Sequence, residues 1–267
     1  VSLLFPDRLD VVIEPDSLAV SVRVRDWRGR ESVKAEVLPV VPSLDELDGA
    51  AAIVELEAWL RAQKWRSTNV RVSVTDQFSH YCVVSWPVGI FKRSELQLIV
   101  EGEIEQRLGI DMASYEVRTD FSRYGANMLA CAMPRGFLAG LKEAFTANRL
   151  GIRLLQPRFV ATFNRWKKEI TQDGLLVSVE SDRCVLGVMQ AGQWHSVRTL
   201  RVASMNGGAL SALIEREQLL HGMEGQKTYL HLHGKMDARH FAENENVQLL
   251  GRGMSPRNVQ QVIGGGQ

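Results

Sequence analysis

Apolar and polar residues alternate over Leu9-Asp-Val-Val-Ile-Glu-Pro-Asp-Ser-Leu-Ala-Val-Ser-Val-Arg-Val24, and Pro15-Asp16 interrupts the alternation midway. A period of two broken by a turn dipeptide predicts a strand, a tight turn and a second strand. Val11, Ile13, Ala19, Val20, Val22 and Val24 carry the alternation, and Arg28-Gly29 turns a second corner, so residues 9–41 read as a three-stranded meander. The pattern recurs in Leu175-Leu-Val-Ser-Val-Glu-Ser-Asp-Arg-Cys-Val-Leu-Gly-Val-Met189, followed by Gly192 and a third strand from Val197 to Val202. Two copies with this spacing are too few and too long for a solenoid.

Between the copies the period changes. Ser43 with Glu46 three residues on has the form of a capping box. It opens a helix expected to reach about Gln63, with Leu47, Ala51, Val54, Ala58 and Leu60 on the buried stripe. Val70–Val74 and Tyr81–Val84 read as strands, and Ser85-Trp86-Pro87 marks a change of region. Then come a helix at Ser94–Leu108, strands at Tyr115–Thr119 and Met128–Met133, and a helix at Arg135–Asn148. Gly151–Pro157 is a short strand leading into a connecting helix over 158–170, and Thr171-Gln-Asp-Gly174 is the turn that opens the second copy. After Gly207-Gly208 the pattern gives a helix to His221, a strand at Thr228–His233 and a last helix at Ser255–Ile263. The expected organisation is a first lobe at 1–85, an inserted α+β subdomain at 86–150, a connector at 151–173 and a second lobe at 174–267.

Composition narrows the function classes. The 267 residues are 45% hydrophobic and 24% charged, which suits a globular protein with one large core or two lobes. A net charge of +1 argues against duplex nucleic acid as the main partner. The local clusters Arg23, Arg25, Arg28, Arg30 and Arg61, Lys64, Arg66 read as a solvated hairpin tip and a helix end. Cys82, Cys131 and Cys184 are odd in number, lack Cys-x-x-Cys spacing and lie in apolar runs, so buried free thiols are expected. No run of about 18 apolar residues appears, and the opening Val1-Ser-Leu-Leu-Phe-Pro lacks the basic and apolar regions of a signal peptide. On these grounds the expected location is the cytoplasm.

The order of these motifs resembles the PilM/GspL/MshI group of actin-like assembly proteins of type IV pili and type II secretion systems. The first hairpin at 9–24, the strand, Pro turn and Glu-rich helix of 83–109, and Ala130-Cys-Ala-Met-Pro-Arg135 at a strand end before a helix each resemble the family's pattern. So do Gly151–Phe163 and the second hairpin with its Gly turn, Arg-rich strand and Gly-Gly over 175–210. The resemblance implies an α/β fold with mixed sheets: an actin-like, ribonuclease H-like duplicated two-lobe architecture with an inserted small α+β subdomain.

The departures from the family's nucleotide-binding members bear on function. Those members carry Asp-x-Gly at each phosphate turn, where this chain has Val12 and Glu14 in the first copy and Ser178 and Glu180 in the second. Near the adenosine strand, Leu230-His-Leu-His-Gly-Lys235 offers Gly234 alone where several small residues are needed. Glutamates would turn negative charge toward polyphosphate, at about 4 kcal/mol per pair of unit charges 4 Å apart in an effective dielectric near 20. No Gly-x-x-x-x-Gly-Lys-Ser/Thr loop compensates. The expectation is therefore no cofactor, no metal and no ATP hydrolysis. What the resemblance implies instead is a scaffold that holds the cytoplasmic N-terminal tail of a bitopic, PilN-like inner-membrane protein, reaching the membrane through that partner, with homodimerisation left open. Trp86, Ile90 and Phe91 are its candidate anchors, in a groove lined by Val83–Phe91 and the insertion. The alternatives are an actin-like ATPase with an unusual site and the cytoplasmic domain of a GspL-like secretion protein. A ribonuclease H-type nuclease lacks the acidic cluster at strand ends.

Two further constellations have duller readings. His221, His231, His233 and His240 gather late in the chain without a third convergent ligand type, so structural or solvent-facing roles are favoured over a metal site. Among the six tryptophans, Trp27 at the hairpin tip and Trp65 at the helix end are the candidates for an interface.

Overall fold

The computed structural model describes residues 7–25, 30–41, 49–65, 68–201, 206–233, 241 and 244–251. In chain order the elements are β1 (Asp7–Ile13), β2 (Ser17–Arg25), β3 (Glu31–Pro39), α1 (Ala50–Arg61), β4 (Thr68–Val74) and β5 (His80–Val84). These are followed by α2 (Arg93–Leu108), β6 (Tyr115–Thr119), β7 (Met128–Pro134), α3 (Arg135–Ala147), β8 (Ile152–Pro157) and α4 (Arg158–Trp166). The rest are β9 (Gly174–Val179), β10 (Arg183–Gln190), β11 (Gln193–Arg201), α5 (Gly207–Leu220), β12 (Lys227–Leu232) and β13 (Val247–Leu249).

The duplication read from the two hairpins extends to whole sheets. One sheet has the order β3-β2-β1-β4-β8 and the other β11-β10-β9-β12-β13. In each, three antiparallel strands continue into two parallel ones. The turns match atom for atom. Glu14 N–H donates to Ser17 O at 2.9 Å, and Glu180 N–H donates to Arg183 O at 2.8 Å. One residue past the parallel partner strand, Thr75 N–H donates to Ile13 O and His233 N–H to Val179 O, at 2.9 and 2.8 Å. The equivalences Glu14–Glu180, Val12–Ser178 and Thr75–His233 follow directly. The mixed α/β architecture expected from the sequence is therefore present.

Contacts divide the chain into two units that are discontinuous in sequence: residues through Ser79 with Met133–Arg158, and His80–Ala132 with Phe159–Gly253. In the first unit Leu9, Val11, Ile13, Leu18, Val20, Val70 and Val72 are buried on one sheet face, and α1, which packs against β2 and α3, buries Leu56 and Leu60 while α3 buries Phe137, Leu141 and Phe145. The opposite face is polar. Asp10 is buried there beside Arg8 at 2.7 Å, with Arg23 and Arg71 near; burial raises its carboxyl above the ordinary aspartate range against the pull of those guanidinium groups.

In the second unit both faces of the repeated sheet are apolar. Leu175, Val177, Leu186 and Leu230 pack under Leu210 and Ile214 of α5. Leu176, Val185 and Tyr229 pack under Phe159 of α4, with Trp194 and Tyr81. Burial, helped by the charge of Glu217, pushes the Cys184 thiol up to about 12. The three-stranded sheet β5-β7-β6 carries its own core on α2, where Leu96, Val100 and Ile104 meet Cys82, Val84, Met128 and Ala130.

Several sequence expectations are corrected. The stripe of α1 is Ala52, Leu56 and Leu60, while Val54 is exposed. Ser43, Glu46 and Leu47 lie outside the described residues, as do Trp27, the Arg28-Gly29 corner and the tail helix at 255–263. Tyr81–Val84 is a strand as expected and lies in β5, which pairs with β7 in the three-stranded sheet, while β8 joins the first sheet beside β4. The connecting helix ends at Trp166. Trp65 turns its indole N–H to Leu60 O at 2.9 Å, serving the C-terminal end of α1 instead of standing free.

Candidate functional site

Each hairpin turn sits at the C-terminal end of a strand whose neighbour is parallel, the place where open α/β sheets present loops to ligands. In the first turn Val12 is half-buried in β1 and contributes no polar atom. The Glu14 carboxylate accepts a hydrogen bond from Ser17 Oγ at 2.9 Å and pairs with the Arg158 guanidinium. Arg158 is buried at the first position of α4, directly after Pro157. The Arg158 guanidinium is thus already engaged by a carboxylate of the chain itself. Asp16 adds a second carboxylate, bonded by Ser17 Oγ at 3.2 Å.

The second turn is filled differently. Ser178, at the position equivalent to Val12, is fully buried, and its Oγ lies 3.0 Å from His233 Nε2. The same nitrogen lies 3.2 Å from Thr162 Oγ1 and 3.1 Å from His231 Nδ1. Two hydroxyls and two imidazoles therefore meet around His233 Nε2 on the Ser178 side of this turn. Glu180 is buried 3.9 Å from Arg183, which also forks onto Asp182 at 3.0 and 2.8 Å. Burial works against the Asp182 carboxylate, but hydrogen bonding and charge from Arg183, with Arg201, outweigh it and hold its pKa below the usual range. Among the described residues no group of three or more His, Cys, Asp or Glu side chains could hold a metal ion. Gly234, the third expected position, lies outside the described residues.

The candidate partner anchors fall into two kinds. Trp86 and Ile90 pack on the insertion core, and the Trp86 indole N–H donates to Ile90 O at 3.1 Å, closing the 86–90 loop on itself. Phe91 instead is 68% exposed. It stacks on Tyr124 with rings 7° from parallel and centroids 5.8 Å apart, and Trp86 meets the same tyrosine edge-on at 5.0 Å. Val88 at the loop tip is fully exposed. The result is an aromatic patch in the insertion, bordered by exposed Lys92, Arg93 and Arg123.

Sequence reading missed Arg158, Thr162 and Tyr124. Only His233 left a trace, because aligning the strands after each hairpin sets it opposite Thr75.

Comparison with solved structures places this architecture. A Bacteroides thetaiotaomicron protein with an actin-like ATPase fold and unknown function superposes with a TM-score of 0.61 at 11% identity, covering 96% of this chain and 95% of that one. A PilM–PilN type IV pilus biogenesis complex matches with a TM-score of 0.61 at 14% identity, over 84% of this chain and 81% of that one. The cytoplasmic domain of EpsL, an inner-membrane component of the Vibrio cholerae type II secretion system, matches with a TM-score of 0.59 at 13% identity, over 96% and 92%. No family model matches the sequence, and no curated protein matches it. At these identities the likeness establishes the fold alone, an actin-like α/β fold.

Proposed function

We propose that this protein is a non-catalytic, actin-like assembly scaffold of a type IV pilus or related secretion system. Its proposed role is to bind the cytoplasmic tail of a bitopic, PilN-like inner-membrane protein and to reach the membrane through that partner. The observation that supports the first half is that the chain's own side chains engage both hairpin turns. Arg158 holds the Glu14 carboxylate, and His233 and Thr162 hold the Ser178 side of the second turn. Phosphoryl chemistry needs backbone donors and a metal-holding carboxylate at these places. Here a polyphosphate would meet Glu14 and Asp16 at one turn and Glu180 and Asp182 at the other. Consistent with a membrane contact made through a partner, no helix among the described residues is long and apolar enough to cross a bilayer.

The tail-binding half is supported by the aromatic patch and by the architecture shared with the PilM–PilN complex. Phe91 and Tyr124 present ring surface at a modest entropic cost, and the Trp86–Ile90 hydrogen bond fixes the loop that leads into Phe91. Phe91→Ala is expected to weaken binding of the partner's N-terminal tail peptide by about tenfold or more, as loss of an interface anchor does. Thermal stability should change little, because the ring is mostly in water. Unchanged peptide affinity together with a lowered melting temperature would make Phe91 a packing residue and remove the proposed docking surface. Trp86→Ala should lower stability and affinity together, since its indole closes the loop.

A further inference from the structure

We infer that β3 is a self-recognition edge, on which a second copy of this chain pairs antiparallel about Ala35 to join two five-stranded sheets. Among the described residues β3 stands at the end of its sheet, and most of its residues are exposed, Val37 at 55%. A nine-residue exposed edge is a template for another strand unless something blunts it. Its counterpart in the repeated sheet, β11, is not bare in this way. There β5 lies alongside, and Asn127 Nδ2 donates to Trp194 O at 2.9 Å.

The direction of the backbone groups follows from the register with β2. Val40 N–H donates to Asp16 O at 2.8 Å, in step with Leu38 opposite Leu18 and Glu36 opposite Val20. Alternate residues therefore turn inward, so Ser32, Lys34, Glu36 and Leu38 serve β2, while Val33, Ala35 and Val37 turn their N–H and C=O groups outward. Pro39, which has no N–H to offer, falls on the outward series, where an edge strand tolerates it.

Charge then selects the register. Outward residues must face outward residues, so the two-fold axis of an antiparallel pair passes through one residue or between side chains of the same series. Pairing centred on Ala35 sets Val33 against the second copy's Val37 and Lys34 against its Glu36, twice by symmetry. Shifting the axis by one residue either way sets Lys34 against Lys34 or Glu36 against Glu36. The Lys34–Glu36 pairs fall at non-hydrogen-bonded positions, where opposed side chains approach most closely. Trp59 Nε1 occupies only one oxygen of Glu36, at 3.0 Å.

The test is sedimentation equilibrium on the full chain and on charge-reversed variants. The parent should dimerise. Lys34→Glu alone and Glu36→Lys alone should each weaken the dimer by about tenfold or more, because each opposes like charges at both symmetry-related sites. An equimolar mixture of the two single variants should form a heterodimer, and the double reversal should restore self-association. These substitutions lie in exposed positions, and circular dichroism on each variant keeps misfolding separate from dissociation. A parent that stays monomeric, a dimer that survives both single reversals, or two single variants that fail to pair when mixed would each overturn the assignment.

Discussion

Phe159→Ala should cost about 3–5 kcal/mol, the range for truncating a fully buried phenylalanine. Phe159 is inaccessible to solvent at the start of α4 and packs edge-on to Tyr81 at 5.4 Å and tilted against Trp194 at 5.4 Å. Its ring also fills the space left by Gly187, where a Cβ would stand 2.6 Å away. Truncation thus removes one shared wall between the insertion strand β5 and the repeated sheet. For a chain of this size the melting temperature should fall by roughly 10 °C. The Trp194 environment should loosen with it, seen as loss of near-ultraviolet circular dichroism. A cost below about 1 kcal/mol would mean that β5 and the repeated sheet do not share this core.

Gly174→Ala should destabilise, although glycine-to-alanine replacement in an extended strand usually gains stability by restricting the unfolded chain. Gly174 opens β9 and faces Lys227 across the parallel ladder to β12. A Cβ there would press into the Lys227 carbonyl, a backbone group fixed by the ladder and unable to swing away as a side chain could. The expected cost is about 1–3 kcal/mol, the range for overpacking, measured by urea denaturation. Gly136→Ala is the control. Gly136 lies in α3 with nothing within 4 Å of the added methyl, so this variant should gain about 0.5–1 kcal/mol from helix propensity. If Gly174→Ala were as harmless as Gly136→Ala, the close approach of β9 and β12 would be wrong.

The duplicated hairpins were legible because a period of two with a turn dipeptide has one natural reading. β1 and β2 follow the expected hairpin with Pro15-Asp16 at the corner, and β9 and β10 follow it around Ser181-Asp182 although both faces of those strands are buried. The helix after the first meander was less legible. Ala51, Ala52, Ile53, Val54 and Leu56 place apolar groups around most of the circumference, so periodicity alone does not choose a face. Packing against α3, where the Ile53 side chain meets Gly140, sets the phase that buries Ala52, Leu56 and Leu60. The absence of the Asp and Gly of an Asp-x-Gly motif could be read locally, since Val12, Glu14, Ser178 and Glu180 stand inside the hairpins. What replaces them could not be. Arg158 lies 144 positions from Glu14, and His233 lies 55 from Ser178, so only the folded sheets bring them together. The aromatic patch shows the same limit: Phe91 was visible in the sequence, and Tyr124, which stacks on it, was not.

The central claim is that both nucleotide turns are closed by the chain's own side chains. Isothermal titration calorimetry of the intact protein with Mg-ATP tests it most directly. The account predicts no saturable heat at millimolar nucleotide and no rise in thermal stability. A ligand present at a hundred times its dissociation constant would stabilise by about 2.7 kcal/mol, well within reach of measurement. Saturable binding with a micromolar dissociation constant would contradict the account and return the protein to the nucleotide-binding actin-like proteins.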